Sequence, residues 1–584
     1  MIPPVFLAFA ADPNCLGAQL SALIPTEATV HRLNRNADFP DLVVYAAPGT
    51  PLIEMADGAG IIVGRMFEAG RSNLPIAFVD AARSEAAVAS GGASLLKDFW
   101  GGFAAFVRGP RQGEVALLRD PSGGVPVYHC KWNGLQACFS RPELALDLPG
   151  QTLTIDDEFV RQWLSYPFLR TARTGIRGYG ELVPGTRMLL RADRTSVDSP
   201  WSPWIAAAGD RKIQDFDEAA TRLQEVLLAT VPAQIAGLDG IALELSGGLD
   251  SSIVAACLAR ESIDFRAANF VTRLPDGDER SYARGVASYF GARLDELHED
   301  QLPIDLEAGG RNPLRPPLNP VLQPLTRALH RFAVEIRAPC FVTGAGGDNL
   351  FCYLTTASPI LDAARDIGWR RALAETLPDV AALNDCTVWT AARFLLRKKL
   401  SQRGVQDWKP DHRFLAEGGK AEATDGHPWL ELPRDAPPGK AEHVRSLVRA
   451  QYFIEPETPT GEPIMHPLIN QPLMELCLSI PTWLWVRGGA NRAVARAAFA
   501  DLLPPEIVRR RTKGRLESMC ARAFVANRRS LADLLLDGHL SRSGFIDRHE
   551  VAAYLEKAGA PADEAYFRIF DLASIELWLR SRSV

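Results

Sequence analysis

The chain has 584 residues, enough for two to four domains with large cores, and its 47% apolar and 23% charged composition is that of a soluble globular protein. A net charge of −6 gives no electrostatic case for nucleic acid or an anionic membrane, and no apolar run approaches the roughly 20 residues of a membrane span. The nine cysteines are scattered, with no C-x-x-C and no zinc spacing, which predicts mostly buried thiols in a reducing cytoplasm.

The first eleven residues are apolar but lack a basic lead, so they read as a first strand rather than a signal peptide. Short apolar runs at 42–45, 61–63, 103–107, 115–118 and 125–128, broken by turns, predict a layered, largely antiparallel β domain over residues 1–205. Segment 195–210, with Pro200, Pro203, Gly209 and two tryptophans, reads as a connection. From residue 212 the pattern changes. Residues 216–235 read as an amphipathic helix leading into an apolar strand at 240–243. Strands at 266–271, 292–297 and 339–343 then alternate with helices at 278–290 and 321–337. That rhythm predicts a doubly wound parallel sheet within 212–584, with ligands at the carboxyl ends of its strands. Asp276 and Glu279 have the spacing of a capping box for the 278–290 helix, with a functional role for this acidic cluster left open.

Between the 240–243 strand and the next helix lies Leu243-Glu244-Leu245-Ser246-Gly247-Gly248-Leu249-Asp250-Ser251-Ser252. Two glycines let the backbone bend sharply, and a helix start offers free N–H groups and a positive dipole end. Ser246, Ser251 and Ser252 add hydroxyls. The combination suits an anion, most naturally pyrophosphate. Asp250 would repel bound phosphate unless a Mg²⁺ lies between. The bland alternative is that Ser246 is a turn residue and Asp250 only complements the helix dipole. There is no Gly-x-x-x-x-Gly-Lys-Ser/Thr loop anywhere. A second glycine-rich motif, Thr343-Gly344-Ala345-Gly346-Gly347-Asp348-Asn349, falls on the same predicted rim. Its Asp348 is expected to face Asp250 and share the Mg²⁺; the alternative is a turn whose Asp caps the next helix. The basic stripe at 393–403 reads as a solvated helix face or, less simply, a peptide-docking site. Segment 404–440 reads as a mobile loop or a surface insertion.

The first loop is similar to the pyrophosphate loop of the ATP pyrophosphatases, which split ATP between its α and β phosphates. Around it, the chain resembles the asparagine synthetase family over nearly its whole length. The N-terminal part resembles the glutaminase half in Gly102-Phe103-Ala104, in Arg119-Asp120-Pro121-Ser122-Gly123-Gly124 with the following Val125-Pro126-Val127-Tyr128, and in Phe139-Ser140-Arg141-Pro142-Glu143. The resemblance implies an N-terminal-nucleophile (Ntn-type), glutaminase-like α+β domain followed by an α/β synthetase domain. The family's glutaminase nucleophile is a Cys directly after Met1; here Ile2 stands there, and a hydrocarbon side chain cannot attack an amide. The domain is therefore expected to be a retained scaffold.

In the second motif the family's acidic residue, or the Tyr of the β-lactam synthetases, is replaced by Ala345. The resemblance resumes at Pro463-Ile464-Met465-His466-Pro467 and at Asn491-Arg492-Ala493, and ends near Arg511-Thr512-Lys513-Gly514. It implies Lys513 as the catalytic lysine that touches the α-phosphate, with Arg511 or Arg515 as substitutes, beside Asp250 and Asp348. It implies ATP and Mg²⁺ as cofactors. The nucleotide-binding residues would be Leu243, Ser246, Gly247, Gly248, Asp250, Ser251, Ser252, Val271, Gly344, Gly346 and Gly347. The Gly-Ala-Gly-Gly-Asp-Asn loop and the chain length are most similar to lasso peptide cyclases. That implies a leader-trimmed precursor core peptide as substrate, and a leader peptidase and leader-binding protein as partners. The rivals are another amide ligase, either β-lactam synthetase-like or ammonia-dependent, and a non-catalytic nucleotide-binding scaffold.

Overall fold

The computed structural model describes residues 4–582 except 12–15, 17–32, 71–73, 147, 152, 192–193, 209–211, 273–276, 299–303, 308–309, 311, 401–407, 456–462, 512–513, 515–516, 558, 560 and 562. Thirteen strands lie among the described residues before residue 200: β1 (Phe6–Ala10), β2 (Asn34–Phe39), β3 (Leu42–Ala46), β4 (Leu52–Met55), β5 (Gly60–Glu68), β6 (Phe78–Val79), β7 (Phe99–Arg108), β8 (Val115–Arg119), β9 (Tyr128–Trp132), β10 (Leu135–Phe139), β11 (Tyr179–Glu181), β12 (Arg187–Leu190) and β13 (Thr195–Asp198). They form two sheets, ordered β11-β9-β10-β1-β3-β2 and β13-β12-β8-β7-β5-β4-β6. All their pairings are antiparallel except β4 with β6. The apolar run at 125–128 enters its strand only at Tyr128. Segment 195–210 is more than a connection: it supplies edge strand β13 and helix α1 (Pro203–Ala208).

β1 explains the layering. All five of its residues are buried. Phe6, Ala8 and Ala10 face the other sheet and pack with Val63, Phe106 and Leu117. Leu7 and Phe9 face outward and pack with Met519, Phe524, Phe570 and Trp578 from two late helices. An apolar strand on both faces needs cover on both faces. The outer face of the second sheet is covered too: Ile62, Phe103 and Leu118 join one core with Leu223, Leu243 and Leu473.

After α1 come α2 (Phe216–Ile235), β14 (Ile241–Glu244), α3 (Leu249–Arg260), β15 (Phe265–Val271), α4 (Arg280–Phe290), β16 (Leu294–His298), α5 (Gln323–Glu335), β17 (Phe341–Val342), α6 (Val388–Leu400), α7 (Pro438–Phe453), β18 (Ile464–Met465), α8 (Gln471–Ser479), α9 (Ala493–Ala498), α10 (Glu517–Leu536) and α11 (Ala565–Arg580). α2 matches its expected span; Asp215 caps it by accepting from the Glu218 N–H at 2.8 Å. The 321–337 helix is shorter than expected, being a 3₁₀ turn at Pro320–Leu322 followed by α5. The third sheet is wholly parallel among its described strands, ordered β16-β15-β14-β17-β18. β14 lies at its centre, pairing Leu243 with Ala267 on one side and Val342 on the other.

The 404–440 segment, where described, is ordered against the N-terminal layers rather than being a loose insertion. Trp408 Nε1 donates to the Pro167 carbonyl at 2.9 Å, the Asp411 N–H to the Ser165 carbonyl at 2.8 Å, and Trp429 Nε1 to the Pro184 carbonyl at 3.1 Å. Trp429 is itself buried, its ring tilted at 59° against Trp201 with centroids 5.0 Å apart. Seven of the eight described cysteines are buried. No described helix is long and apolar enough to cross a membrane.

Candidate active site at the rim of the parallel sheet

The loop after β14 folds back on itself. Gly247 sits at φ +71°, a conformation that favours glycine, and a Cβ there would lie 2.6 Å from the Ala283 nitrogen at the start of α4. Gly248 is the N-cap of α3. Its N–H donates to Ser246 Oγ at 3.2 Å, and Ser246 Oγ lies 3.2 Å from Ser251 Oγ. Ser252 Oγ donates to the Gly248 carbonyl at 2.7 Å. The hydroxyls and the helix start are thus gathered at one point, a geometry that accepts an anion.

The second loop, after β17, is pressed against the first. A Cβ on Gly344 would lie 2.6 Å from the Ser251 nitrogen, and one on Gly347 would lie 2.4 Å from Asp250 Cγ. Both glycines are required because the two loops touch each other. Gly346, at φ +86°, has room for no side chain either, being packed on Ile469. Thr343 Oγ1 accepts from the Ala345 N–H at 3.1 Å and meets His466 Nδ1 at 3.1 Å. His466 Nε2 lies 3.0 Å from the Glu455 carbonyl oxygen, which makes Nε2 the protonated nitrogen and Nδ1 the acceptor. Burial pushes the imidazole down to about 4, so it is neutral at pH 7.

Asp250 and Asp348 do converge. Between them stands Arg492, which the sequence reading did not place in the site. Its Nη1 lies 2.9 and 3.0 Å from the two Asp250 oxygens and 2.6 Å from Asp348 Oδ1. Burial works against its charge, but Asp250 and Asp348 outweigh that and raise its pKa. Arg492 occupies the left-handed region, φ +53°, immediately before α9. A second missed residue is Arg510. Its Nη1 donates to the Gly247 carbonyl at 3.1 Å and its Nη2 to Glu279 Oε1 at 2.6 Å. Glu279 is not the expected capping-box partner: Asp276 lies outside the described residues, α4 begins at Arg280, and it is Asp278 that accepts from the Arg280 N–H.

Of the other expected residues, Leu243 is fully buried in β14, and Val271 ends β15 on the same rim. Arg511 is exposed beside Arg510; Lys513, Arg515 and Ile2 lie outside the described residues. Gly102, Ser122, Gly123 and Gly124 from the N-terminal part meet Met465, His466 and Ile469 around a cavity of about 130 Å³. A larger groove, about 1430 Å³, is lined by α1, α2 and α8 together with residues of the N-terminal part such as Glu68 and Trp100, and includes none of the rim residues.

A family model described as asparagine synthase matches residues 222–580, the whole of the parallel-sheet region and both loops. The chain belongs to the asparagine synthase family. Members use ATP, typically with Mg²⁺, and the domain points to an ATP-dependent amide ligase. Comparison with curated proteins gives no match. Among solved structures, the chain is similar to "Structure of NMN synthetase from Francisella tularensis" at 14% identity and TM-score 0.16, over 24% of this chain and 60% of that one. It thus spans less than two thirds of that neighbour. It is also similar to "Structure of the allosteric regulatory enzyme of purine biosynthesis" (9% identity, TM-score 0.20, 50% and 75% covered). A third similarity is to "Glutamine phosphoribosylpyrophosphate (PRPP) amidotransferase from B. subtilis complexed with ADP and GMP" (10%, 0.20, 50% and 80%). These scores are too low to bear on the site.

The donor set fits the family's Mg²⁺. Two carboxylates of different loops meet at one nitrogen of Arg492, and hard oxygen donors suit that cation. No cluster of three or more His, Cys, Asp or Glu is found among the described residues, so further ligands would be phosphate oxygens and water. Arg492 Nη1 stands where such an ion would lie.

Proposed function

We propose that this chain joins a carboxylate to an amine by way of an acyl-adenylate and, within that class, acts as a lasso peptide cyclase. The observation that carries the first part is the convergence of the Ser246–Ser252 loop and Asp348 on one point at the carboxyl rim of the sheet. A carboxylate oxygen attacks the α-phosphorus of ATP, the bond to the bridging oxygen breaks, and pyrophosphate leaves. An amine then attacks the acyl carbon, gives up its proton, and AMP leaves. The loop's N–H groups and hydroxyls hold the phosphate oxygens, and the helix end and Arg492 oppose the charge that develops on them. Mg²⁺ held by Asp250 and Asp348 would supply further neutralisation. The protein's contribution is positioning and charge stabilisation. Lys513 is proposed for the α-phosphate.

The finer reading is supported by Ala345, which stands where the family has an acid or a Tyr, and by the similarity of the Gly-Ala-Gly-Gly-Asp-Asn loop. In it, an Asp or Glu side chain of a leader-trimmed core peptide is adenylated, and the peptide's own N-terminal amine closes the ring. A leader peptidase and a leader-binding protein would act beforehand in the same cytoplasm. Mass spectrometry of a precursor peptide incubated with this protein, those two partners and Mg-ATP tests it. A core peptide lighter by one water, lost in Asp250→Ala, is expected. AMP release without that loss would move the substrate to another acid or amine. No AMP at all would favour the non-catalytic scaffold.

A further inference from the structure

We propose that Arg510 and Glu279 form a lock on the Gly247–Gly248 peptide plane, positioning residues that keep its N–H, rather than its carbonyl oxygen, turned into the anion loop. The inference rests on the reading that this loop holds ATP phosphates. A plane between two glycines rotates easily, because neither carries a Cβ. Rotated one way, it offers an N–H to an anion; rotated the other way, it offers an oxygen and repels it. In a trans peptide the C=O and the next N–H point in opposite directions. Arg510 Nη1 holds the Gly247 oxygen at 3.1 Å on the outside of the loop. The Gly248 N–H therefore faces inward, where Ser246 Oγ accepts it at 3.2 Å beside Ser251 Oγ.

Arg510 is itself held on three sides. Its Nη2 meets Glu279 Oε1 at 2.6 Å, and its guanidinium lies 3.8 Å from the centre of the Tyr282 ring. The ion pair is largely buried, with side-chain exposures of 7% and 16%. A hydrogen bond between charged groups in such a setting is strong and directional. The same Glu279 oxygen accepts from the Gly514 N–H at 2.9 Å, and Gly514 has no room for a side chain, since a Cβ would lie 2.5 Å from Glu279 Cδ. One carboxylate at the start of α4 thus meets both Arg510, which holds the loop after β14, and the Gly514 N–H. Neither Glu279 nor Arg510 belongs to the inner set of hydroxyls that would touch phosphate. Their effect passes through the peptide plane.

The test is calorimetric binding of Mg-α,β-methylene-ATP to the full chain and to Glu279→Ala, Glu279→Gln, Arg510→Ala, Arg510→Lys and the double alanine variant. Wild type is expected to bind. Each single alanine variant is expected to weaken binding by about tenfold, the loss of one charged hydrogen bond's worth of orientation. The double variant is expected to be no weaker than either single one, because the two residues act through one carbonyl. Glu279→Gln keeps an acceptor and should recover part of the affinity relative to Glu279→Ala. Arg510→Lys, which keeps the charge but not the two-pronged geometry, should bind as weakly as the alanine variant while folding normally. Wild-type affinity in the alanine variants would overturn the lock. Absence of binding by wild type would instead overturn the nucleotide reading on which the lock rests.

Discussion

Arg492 decides how the two aspartates behave when no cation is present. Two carboxylates held this close repel each other unless a positive charge lies between them, and here a guanidinium nitrogen supplies it. Any divalent ion that uses both carboxylates must displace that nitrogen. Arg492→Ala should therefore lower the melting temperature without Mg²⁺, by the equivalent of about 1–3 kcal/mol. Added Mg²⁺ should raise it by more in the variant than in wild type, because stabilisation by a bound ion grows with the logarithm of its affinity and no guanidinium then has to be displaced. An equal Mg²⁺ response in both proteins would show that the ion does not use this space. The role of Arg492 was not legible in the sequence. It lies 242 positions from Asp250 in the chain, and no periodicity or motif spacing connects them. Asp250 and Asp348 were legible because each sits in a short glycine-rich string between a strand and a helix, where local chemistry alone suggests an anion. Glu279 was left between a cap and a functional role for a related reason. Its spacing from Asp276 fits a cap, and only the folded chain brings Arg510 and Gly514 to it.

At the level of elements, the site exists because β14 and β17 are neighbours in a parallel sheet, so the loops that follow them leave on the same side. The glycines bring those loops into contact. Gly347→Ala places a methyl 2.4 Å from Asp250 Cγ, and the clash cannot be relieved without moving one loop off the other. Nucleotide-dependent AMP formation should fall by about a hundredfold, as for loss of a positioned charge, while thermal stability changes little. Steady-state AMP release at saturating ATP measures it; a variant as active as wild type would mean that the loops need not touch. Helix α2 was legible end to end, since its cap and its apolar face are both local. The 404–440 segment was not. Its polar, broken sequence resembles any loop, and what orders it is distant: Trp429 and Trp408 find carbonyl partners at Pro184 and Pro167.

Across the whole molecule, the N-terminal sheets are not an appendage. They are packed from one side by α10 and α11 and from the other by the core of α2, β14 and α8. The doubly apolar strands hinted at this, but which part of the chain supplies the cover is a matter of topology, not of local pattern. A buried trio fixes the junction. Glu181 accepts from Arg119 Nη1 at 2.9 Å and Arg170 Nε at 2.8 Å, and Arg170 also donates to the Gln451 carbonyl of α7 at 3.3 Å. Burial alone would raise the Glu181 carboxyl; the two arginines outweigh it and hold it down at about 2. A carboxyl lowered on folding contributes stability that is present above its unfolded value near 4.5 and is lost as pH falls through about 2. Glu181→Gln leaves two buried cations without their anion and should cost about 3–5 kcal/mol at pH 7, with a smaller further loss than wild type on acidification. Denaturant unfolding at pH 7 and pH 3 checks both. Attack of a carboxylate on the α-phosphorus at this rim can be followed with a substrate carboxylate labelled with oxygen-18. One labelled oxygen is expected in the AMP that is released, and none in pyrophosphate. Label in orthophosphate or pyrophosphate, or product formed without labelled AMP, would contradict it.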